Sequence, residues 1–496
     1  MSQNPEPKDF PTIFERSRTG RRGNVPPKSD AGEAPLERLI PAGHLRRKAP
    51  DLPEISELDA VRHYTLLSRR NVGVDTTFYP LGSCTMKYNP KVNEAAASLP
   101  GFARLHPYQP ASTTQGTLSL LAELEGFLCE IAGFDAVTLQ PAAGAHGELA
   151  GLMIIRAWHD SRGGGRTEVL IPDSAHGTNP ASCTLAGFKT VEVKSDVRGL
   201  VNLEDLKAKA GPRTAALMLT NPNTVGLFER NICAIGSLLH ERGALLYMDG
   251  ANFNAILGKA RPGDFGVDVM HFNLHKTFAT PHGGGGPGSG PVGVKKDLVP
   301  FLPVPRIVRK GETFDLSSDF PRSIGPVRSW MGNVGVALKA YAYIRHLGAE
   351  GLKEASEIAV LNANYVLARL RGAFDLAYDP PCMHECVFSA KKMAKETGVR
   401  ALDVAKGLID RGFHPPTIYF PLIVHEAVMI EPTETESLET LDAFIDAMID
   451  IAGKAKTDPA SLLAAPVTTP IGRLDEVRAV KQPCLRYRSK TTEPRA

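Results

Sequence analysis

Residues 245–291 read LLYMDGANFNAILGKARPGDFGVDVMHFNLHKTFATPHGGGGPGSGP, and this stretch decides the fold. An apolar run from Leu245 to Met248 ends at Asp249, and a second run from Val267 to Leu274 ends at His275-Lys276. Short apolar runs bounded by polar and turn residues are typical of buried β-strands. The stretch therefore predicts two core strands that carry an acid and a lysine at their carboxyl ends.

Four similar apolar runs precede this stretch, and segments of helical or turn character separate them. Strands that alternate with helices predict an α/β fold with a mainly parallel sheet and helices on both faces. In such sheets ligands bind at the carboxyl ends of the strands. The four earlier runs are Ala136–Leu139, Val169–Ile171, Thr190–Val193 and Ala215–Leu219.

The remainder of the chain predicts four regions. Residues 1–75 are rich in proline and charge and form an N-terminal arm, 76–345 form the large α/β domain, 346–470 a small α+β domain, and 471–496 a C-terminal tail. Within the large domain, leucines at helical spacing predict an amphipathic helix over residues 116–133. The arm and the tail are predicted subunit contacts. In the small domain we expect strands His384–Ser389 and Val424–Ile430 and helices Val399–Arg411 and Ser437–Ile451.

The acid and the lysine at the two strand ends suit pyridoxal phosphate. Such a site needs a lysine that forms an imine with the cofactor and an acid that holds the ring nitrogen protonated. Lys276 and Asp249 are the candidates for these two roles. A lysine that follows a buried strand is otherwise a solvated surface residue, although charged groups are seldom buried without a task.

Other strand ends add groups that suit the same ligand. Ala143, Gly144 and Ala145 begin a predicted helix, whose N–H groups could bind a phosphate. His176 follows the second strand and could stack on a flat ring, and Asn223 follows the fourth and could donate to a phenolic oxygen, although turn formation explains the asparagine equally well. Ligand-suited groups at the ends of several successive strands are less expected by chance than such a group at any one strand end.

The glycine run Gly283–Gly288 also fits other patterns. Gly283, Gly285 and Gly288 satisfy the dinucleotide pattern G-x-G-x-x-G, but the run contains Pro287 and does not turn directly from a strand into a helix. It also lacks the Gly-Lys-Ser/Thr ending of a P-loop. A flexible loop remains an alternative. We favour a backbone that passes close to a ligand or a neighbouring subunit, which glycine permits.

Two patterns suggest metal sites, and both fail on spacing. Cys382, His384 and Cys386 alternate along a predicted strand but match no common zinc signature. His146-Gly147-Glu148 resembles the H-x-E of zinc deaminases, yet that signature needs two cysteines separated by two residues, and Cys382 and Cys386 are separated by three. We therefore predict no metal.

Composition and charge limit the partners and the cellular compartment that we expect for the protein. The net charge of +3 over 496 residues gives no reason to expect a nucleic-acid partner. No apolar run reaches the length of about 18 residues that a membrane span requires, and no signal peptide is apparent because the first segment mixes acids and bases. Seven scattered cysteines, an odd number, favour a reducing compartment. We predict a cytoplasmic protein without membrane attachment.

Several segments together resemble a known family, the pyridoxal-phosphate glycine decarboxylase, or P-protein, of the glycine cleavage system. The resemblance covers about residues 13 to 470, and it is most specific at Gly82–Lys87 and His275–Gly288. The segments that carry it are Tyr79–Pro90, Gln140–Glu148, Ser174–Ser182, Asn221–Gly226, Asp249–Asn252 and His275–Gly288.

The resemblance implies a fold of the aspartate aminotransferase group (fold type I) and a set of site residues. Lys276 would be the Schiff-base lysine, Asp249 the partner of the ring nitrogen, and His176 the stacking residue, with Lys276 and His176 as catalytic residues. The remaining residues at the cofactor would be Ala143, Gly144, His146, Asn223, Ala251 and His275. Residues of one segment, Ser83, Cys84, Thr85 and Lys87, would help to hold the substrate carboxylate.

The resemblance also implies partners and a reaction. The family occurs as one long chain or as two subunits, and this chain is similar to the second, catalytic half. It implies an α2β2 assembly with a homologous first subunit, release of carbon dioxide from glycine, and transfer of the aminomethyl group to the lipoyl arm of H-protein. Two alternatives remain: another enzyme of the same fold, such as a cysteine desulfurase or an amino-acid decarboxylase, and a non-catalytic assembly subunit.

Overall fold

The structure is a computed structural model that describes residues 10–28, 30, 32, 34–48, 50–282, 288–379 and 381–485. The chain divides into two compact units, one of Met1–Gly73 with Pro466–Ala496 and one of Val74–Ala465. All of the predicted site residues belong to the second unit. No helix in the described part of the chain combines the length and the apolar character needed to cross a membrane.

The secondary structure alternates between helices and strands. The α-helices of the described residues are α1 (Leu36–Leu39), α2 (Glu57–Ser68), α3 (Lys91–Ala97), α4 (Pro100–Ala103), α5 (Gln115–Ala132), α6 (Gly144–Asp160), α7 (Thr178–Leu185), α8 (Leu203–Lys209), α9 (Ile232–Glu241), α10 (Leu274–Thr277), α11 (Val334–Leu370), α12 (Lys391–Thr397), α13 (Ala401–Ile409), α14 (Leu438–Thr457), α15 (Pro459–Ala464) and α16 (Glu476–Lys481). The strands are β1 (Ala136–Thr138), β2 (Glu168–Pro172), β3 (Lys189–Val193), β4 (Thr214–Thr220), β5 (Leu245–Gly250), β6 (Val269–Phe272), β7 (Val292–Val294), β8 (Arg306–Lys310), β9 (Thr313–Ser317), β10 (Asp375–Leu376), β11 (Cys386–Ser389), β12 (Thr417–Ile418) and β13 (Ala427–Ile430).

The large sheet has seven strands in the order β1-β7-β6-β5-β4-β2-β3. Its strands β6, β5, β4, β2 and β3 pair in parallel, which confirms the mainly parallel sheet predicted from the sequence. Strand β7 runs antiparallel to both of its neighbours and was not predicted. It is only three residues long and lies between Gly290-Pro291 and Lys295-Lys296, so it carries too little apolar pattern to be recognised.

Both faces of this sheet are buried, as parallel strands require. Leu246 of β5 packs in one core cluster with Leu124 and Leu128 of α5, which begins one residue before the predicted helix. The neighbouring Tyr247 points to the other face and packs with Ile154 of α6. Because β-strand side chains alternate between faces, one continuous apolar run fills two cores.

The small sheet has four strands in the order β10-β11-β13-β12, and its strands are antiparallel. Together with helices α12 to α14 it forms the α+β arrangement predicted beyond residue 380. Helix α11 spans the predicted domain boundary at residue 345. It leaves helical geometry at Gly348, where φ is 63°, a backbone conformation that glycine adopts at little cost.

Candidate active site

A cavity of about 170 Å³ lies at the carboxyl ends of β4, β5 and β6. Eight residues predicted from the sequence line it, namely Ser83, Gly144, Ala145, His176, Asp249, Ala251, His275 and Lys276. Seven others line it without a role assigned from the sequence, namely Glu148, Thr178, Thr220, Thr224, Asn252, His271 and Asn273. Six predicted residues do not line it, namely Cys84, Thr85, Lys87, Ala143, His146 and Asn223.

Asp249 stands near the end of β5 with both carboxylate oxygens engaged. Asn179 donates to Oδ2 at 3.0 Å and the backbone N–H of Ala251 donates to Oδ1 at 2.9 Å. Burial alone would raise the pKa of Asp249, but His271, the Asn179 and Ala251 hydrogen bonds and the charge of Lys276 together lower it. The group is therefore a buried anion at neutral pH, as a partner for a protonated ring nitrogen must be.

His271 is the main site residue that the sequence did not reveal. Strands β5 and β6 place it opposite Asp249, and its Nε2 lies 3.2 Å from Oδ1 of that residue. Its Nδ1 lies 2.9 Å from the hydroxyl of Tyr247. Burial raises the pKa of Tyr247 well above its usual range, so this phenol stays protonated. A histidine inside an otherwise apolar strand was the available signal.

Lys276 belongs to the single-turn helix α10 that follows β6, and it is 8% exposed. Its ammonium group donates to the backbone carbonyl of Ser83 at 2.7 Å. The contact joins residues 193 positions apart in the chain. A lysine that lines a cavity and is held by one carbonyl is placed to react with a ligand there.

His176 lies on the outer side of the cavity and is exposed. Its Nδ1 accepts a hydrogen bond from the N–H of Thr178 at 3.2 Å and lies 2.9 Å from the Thr178 hydroxyl. The ring meets Phe420 edge to face at a centroid distance of 5.5 Å. These contacts fix the imidazole at the wall of the cavity, where stacking on a flat ligand stays a prediction.

Glu148 closes the cavity wall from α6 and is almost fully buried. The hydroxyl of Thr178 donates to Oε1 at 2.7 Å and that of Ser182 to Oε2 at 3.0 Å. Two hydroxyl donors satisfy a carboxylate that would otherwise be costly to bury. The residue therefore ties α6 to the start of α7, the element that follows His176.

The first turn of α6 approaches neighbouring backbone closely. A Cβ at Gly144 would lie 2.5 Å from Oδ1 of Asn273, and a Cβ at Gly290 would lie 2.0 Å from the carbonyl oxygen of Ala143. At Gly290 the close atom is backbone and glycine is required, whereas at Gly144 a Cβ would displace the Asn273 side chain. The resulting helix start presents N–H groups at the cavity, which is suited to a phosphate.

Three histidines stand near this helix start. Burial, with the charge of Lys276 and a neighbouring imidazole, lowers the pKa of His275 to about 3, and burial with Lys276 lowers that of His282 to about 4. Burial and the Arg328 charge lower the pKa of His146, whose Nδ1 accepts a hydrogen bond from the N–H of Ala142 at 3.1 Å. The glycine run Gly283–Pro287, which follows His282, lies outside the described residues.

The side chain of Asn223 makes hydrogen bonds within the turn that contains it. Its amide donates to the carbonyl of Gly199 at 2.9 Å, and its Oδ1 accepts from the N–H groups of Val225 and Leu227. No contact places its side chain at the cavity, within the part of the chain that the structure describes. The cavity wall there is formed instead by Thr220 and Thr224, on either side of it in the chain.

The segment Ser83–Lys87 divides between cavity and core. Ser83 lines the cavity, whereas the ammonium of Lys87 is buried and donates to Glu434 at 2.6 Å and to the carbonyl of Thr277 at 3.0 Å. Burial disfavours that charge, but Glu434 and Tyr343 raise the pKa of Lys87. Lys87 thus anchors the backbone next to Lys276, and direct contact with substrate stays a prediction.

Two buried glutamates beneath this segment were also missed. Glu385 accepts the N–H of Ser83 at 2.7 Å, and Glu431 accepts the N–H of Thr85 at 2.8 Å and its hydroxyl at 2.5 Å. Burial raises the pKa of both. Their role depends on pairing between segments some 300 residues apart, which a single sequence does not display.

The cysteines around His384 are buried. Burial raises the pKa of Cys382 to about 12 and that of Cys386 well above the usual range. Both thiols therefore stay protonated at neutral pH, and metals bind thiolates. Strand β11 begins only at Cys386, so the regular alternation predicted for Cys382, His384 and Cys386 does not extend over all three.

Two known families match separate parts of the chain. Residues 147–298 match the class-V aminotransferase family, and residues 355–461 match the family described as glycine dehydrogenase, C-terminal domain. The first match contains the strand ends that carry Asp249 and Lys276. The second contains the small sheet and both buried glutamates.

Curated relatives match nearly the whole chain. "Probable glycine dehydrogenase (decarboxylating) subunit 2" of Halalkalibacterium halodurans is 60% identical over 485 residues, covering 98% of this chain and 99% of the relative. The protein of the same name from Caldanaerobacter subterraneus is 60% identical over 477 residues, covering 96% and 98%.

Solved structures share the fold at low identity. A glycine decarboxylase (P-protein) of the glycine cleavage system in inhibitor-bound form aligns with a TM-score of 0.71 and 24% identity, covering 84% of this chain and 95% of that one. A cysteine desulfurase from Thermococcus onnurineus aligns with a TM-score of 0.59 and 16% identity, covering 76% and 95%. Together with the class-V aminotransferase match, these likenesses confirm the predicted fold class.

Proposed function

Because the chain belongs to the glycine dehydrogenase (decarboxylating) subunit 2 family, we propose that it is the pyridoxal-phosphate-dependent subunit that decarboxylates glycine and passes the aminomethyl group to the lipoyl arm of H-protein. One observation carries the proposal: Asp249 and Lys276, from the ends of adjacent strands, line one small cavity. A buried anion and a reactive amine that face the same space are the two groups that this cofactor requires.

The cavity fits the cofactor in its polar character. Three buried oxygens on its wall, Oδ1 of Asn273, Oδ1 of Asn252 and Oγ1 of Thr220, have no hydrogen-bond partner among the described residues. Buried polar atoms of native proteins are nearly always paired. A polar ligand in the cavity would bring hydrogen-bonding groups close to these atoms.

Each part of the cofactor has a residue suited to hold it. Lys276 would bind it covalently, Asp249 would hold the ring nitrogen, and the first turn of α6 at Gly144 would receive the phosphate. The stacking position belongs to His176. When bound, the group supplies an electron sink for the pair released as a bond to the substrate's α-carbon breaks.

The protein's own groups orient the substrate and move protons. Once displaced by glycine, the Lys276 amine would be free to transfer protons at the α-carbon, and in this structure it donates to the Ser83 carbonyl at the cavity. Selection of glycine would require a closed pocket that excludes larger side chains.

The partners follow from the family. The name of the relatives, subunit 2, implies a first subunit, and we propose that the two homologous chains assemble as an α2β2 heterotetramer in the cytoplasm. Lipoylated H-protein accepts the aminomethyl group while its disulfide is reduced. Carbon dioxide is the other product.

The test compares the wild type with Lys276→Ala, each co-expressed with the first subunit and supplied with pyridoxal phosphate. We expect the wild type to show a visible absorption band from the bound cofactor and to exchange labelled carbon dioxide into glycine when lipoylated H-protein is added. The variant should lack both. The matched control is Lys91→Ala, which removes an exposed lysine of the same unit.

Two results would contradict the proposal. Exchange that requires no H-protein, or a reaction with cysteine in place of glycine, would favour another enzyme of this fold. Absence of the cofactor band from both proteins would favour a non-catalytic assembly subunit.

A further inference from the structure

Glu385 and Glu431 lie opposite each other where two strands of the small sheet end. Strands β11 and β13 pair antiparallel, with Cys386 opposite Ile430. If this register continues by one residue, Glu385, which precedes Cys386, lies opposite Glu431, which follows Ile430. Both glutamates are fully buried, and a carboxylate oxygen of each lies within 4.8 Å of the other and of an imidazole nitrogen of His384. Two like charges held this close in a buried site repel strongly.

Hydrogen-bond donors reach the two carboxyl groups unequally. Glu431 accepts from the N–H and the hydroxyl of Thr85 and, at 3.5 Å, from the amide of Asn254. Glu385 accepts only the N–H of Ser83, on Oε2, and its Oε1 has no partner in the described part of the chain. Donors stabilise an ionised carboxylate, so Glu431 is the better site for the charge and Glu385 for a proton.

The imidazole of His384 agrees with this distribution, whereas Glu434 raises the pKa of Glu431 and Lys276 lowers the pKa of both glutamates. Nε2 of His384 lies 3.6 Å from Oε1 of Glu385, and burial with the charge of Lys276 lowers the pKa of this histidine to about 3, so it is neutral. A neutral imidazole beside Oε1 adds no positive charge that would stabilise a second anion there. The other titratable groups that act on the cluster are Lys276, Glu434, Cys84, Cys382 and Cys386.

The donors to the pair belong to a strained loop. Ser83 has φ of 63° and Thr85 has φ of 51°, both in the left-handed region that L-residues rarely adopt, above all β-branched threonine. Such conformations persist when surrounding contacts hold them. Here the contacts are the two carboxyl groups, and the Ser83 carbonyl in turn accepts from Lys276 at 2.7 Å.

We propose that Glu385 and Glu431 form a carboxyl pair that shares a single proton, carried by Glu385, and that positions the Ser83–Thr85 loop against Lys276. The two glutamates are positioning residues, because they act on Lys276 through the loop. The arrangement belongs to the protein without a ligand and is independent of the proposed reaction. It can be tested even if that reaction proves to be different.

The first test counts protonated carboxyl groups by infrared spectroscopy of the full chain, labelled with ¹³C-glutamate, at neutral pH without cofactor. We expect a protonated-carboxyl band in the wild type, with a component that Glu385→Gln removes. The matched control is Glu125→Gln, because burial raises the pKa of Glu125 to about 8 and this residue contributes its own component. A Glu385→Gln spectrum identical to that of the wild type would overturn the proposal.

The second test uses the different donors and acceptors of the two positions. Glutamine at 385 still offers an oxygen to the N–H of Ser83 and replaces the proposed O–H with N–H. The two carboxylate oxygens of Glu431 accept hydrogen bonds from Thr85. Glutamine at 431 has an NH₂ group, which donates, in place of one of these oxygens. We therefore expect hydrogen exchange of the Ser83–Thr85 amides to rise about tenfold in Glu431→Gln, the loss of about one hydrogen bond, and to stay near the wild-type rate in Glu385→Gln.

Equal effects of the two substitutions on exchange would contradict the assignment of the proton to Glu385. If Glu431→Gln does not fold, the infrared comparison of the wild type, Glu385→Gln and Glu125→Gln still decides the protonation of the pair.

Discussion

Nε2 of His271 lies 3.2 Å from Oδ1 of Asp249, so an imidazole and a carboxylate form one buried polar unit across two parallel strands. The phenol of Tyr247 extends the unit on the far side of the imidazole. A histidine held between a phenol and a carboxylate has a fixed ring orientation. The carboxylate in turn keeps its position and its charge at the end of β5.

We expect Asp249→Asn to lower glycine-dependent exchange of labelled carbon dioxide by about a hundredfold or more. The substitution keeps the shape of the side chain but removes the charge, and loss of one preorganised electrostatic contact in an active site costs about that much. Asp264→Asn is the control, since its carboxylate is 61% exposed and belongs to the same stretch of sequence. Equal activity of the two variants would remove Asp249 from the site.

A buried ion pair beside the active lysine predicts a large effect on stability. Lys87 and Glu434 are joined at 2.6 Å with side chains 1% and 8% exposed. Removing one partner leaves an uncompensated buried charge, so Lys87→Met should lower the free energy of unfolding by about 3 to 5 kcal/mol. Urea unfolding of the full chain measures this.

The control for this pair is Lys91→Ala. Lys91 and Asp75 are joined at a similar distance of 2.7 Å, but their side chains are 60% and 53% exposed. Solvent screens such a pair, so the expected loss is below about 1 kcal/mol. The double variant Lys87→Met with Glu434→Gln should be more stable than Lys87→Met alone. A similar loss at both lysines would mean that burial does not govern this pair.

The sequence predicted those parts of the site that each strand carries by itself. Asp249 was found because an apolar run ends directly before it, and Lys276 because an apolar run ends with only His275 between them. Helix α5 was found from its leucine spacing. His271 lies in a predicted strand, but its contact with Asp249 depends on strand register. Glu385 and Glu431 depend on antiparallel pairing and on docking of the Ser83–Thr85 loop, relationships over long sequence separations that local patterns do not encode.

The close approach of Gly290 to α6 predicts a different kind of defect. A Cβ there would lie 2.0 Å from the carbonyl oxygen of Ala143, which is backbone and cannot rotate away. Gly290→Ala should therefore displace the start of α6, lower the free energy of unfolding by about 1 to 3 kcal/mol and weaken binding of pyridoxal phosphate.

Gly126→Ala provides the comparison for Gly290→Ala. A Cβ at Gly126 meets no atom within 4 Å among those that the structure describes, and alanine in a helix interior is favoured over glycine by about 0.5 to 1 kcal/mol. This variant should be slightly more stable than the wild type and should bind the cofactor equally well. Equal cofactor affinity in Gly290→Ala would contradict the placement of the phosphate at this helix start.

Buried neutral histidines near Lys276 predict that acid destabilises the ligand-free protein. Burial lowers the pKa of His275 to about 3 and that of His282 to about 4, whereas histidine in an unfolded chain titrates near about 6.5. Between these values the unfolded chain binds more protons than the folded chain. Stability is therefore retained above about pH 6.5 and declines as the pH falls toward about 4, by up to about 1.4 kcal/mol per pH unit for each histidine.

Urea unfolding of the full chain at a series of pH values from about 7 to about 4.5 measures this slope. His282→Gln should reduce the slope by the contribution of one group, because glutamine does not titrate. His346→Gln, which replaces an exposed histidine of the same unit, should leave the slope unchanged. If wild type and His282→Gln lose stability in parallel as the pH falls, then His282 is protonated as readily in the folded protein as in the unfolded chain, and the acid sensitivity arises elsewhere.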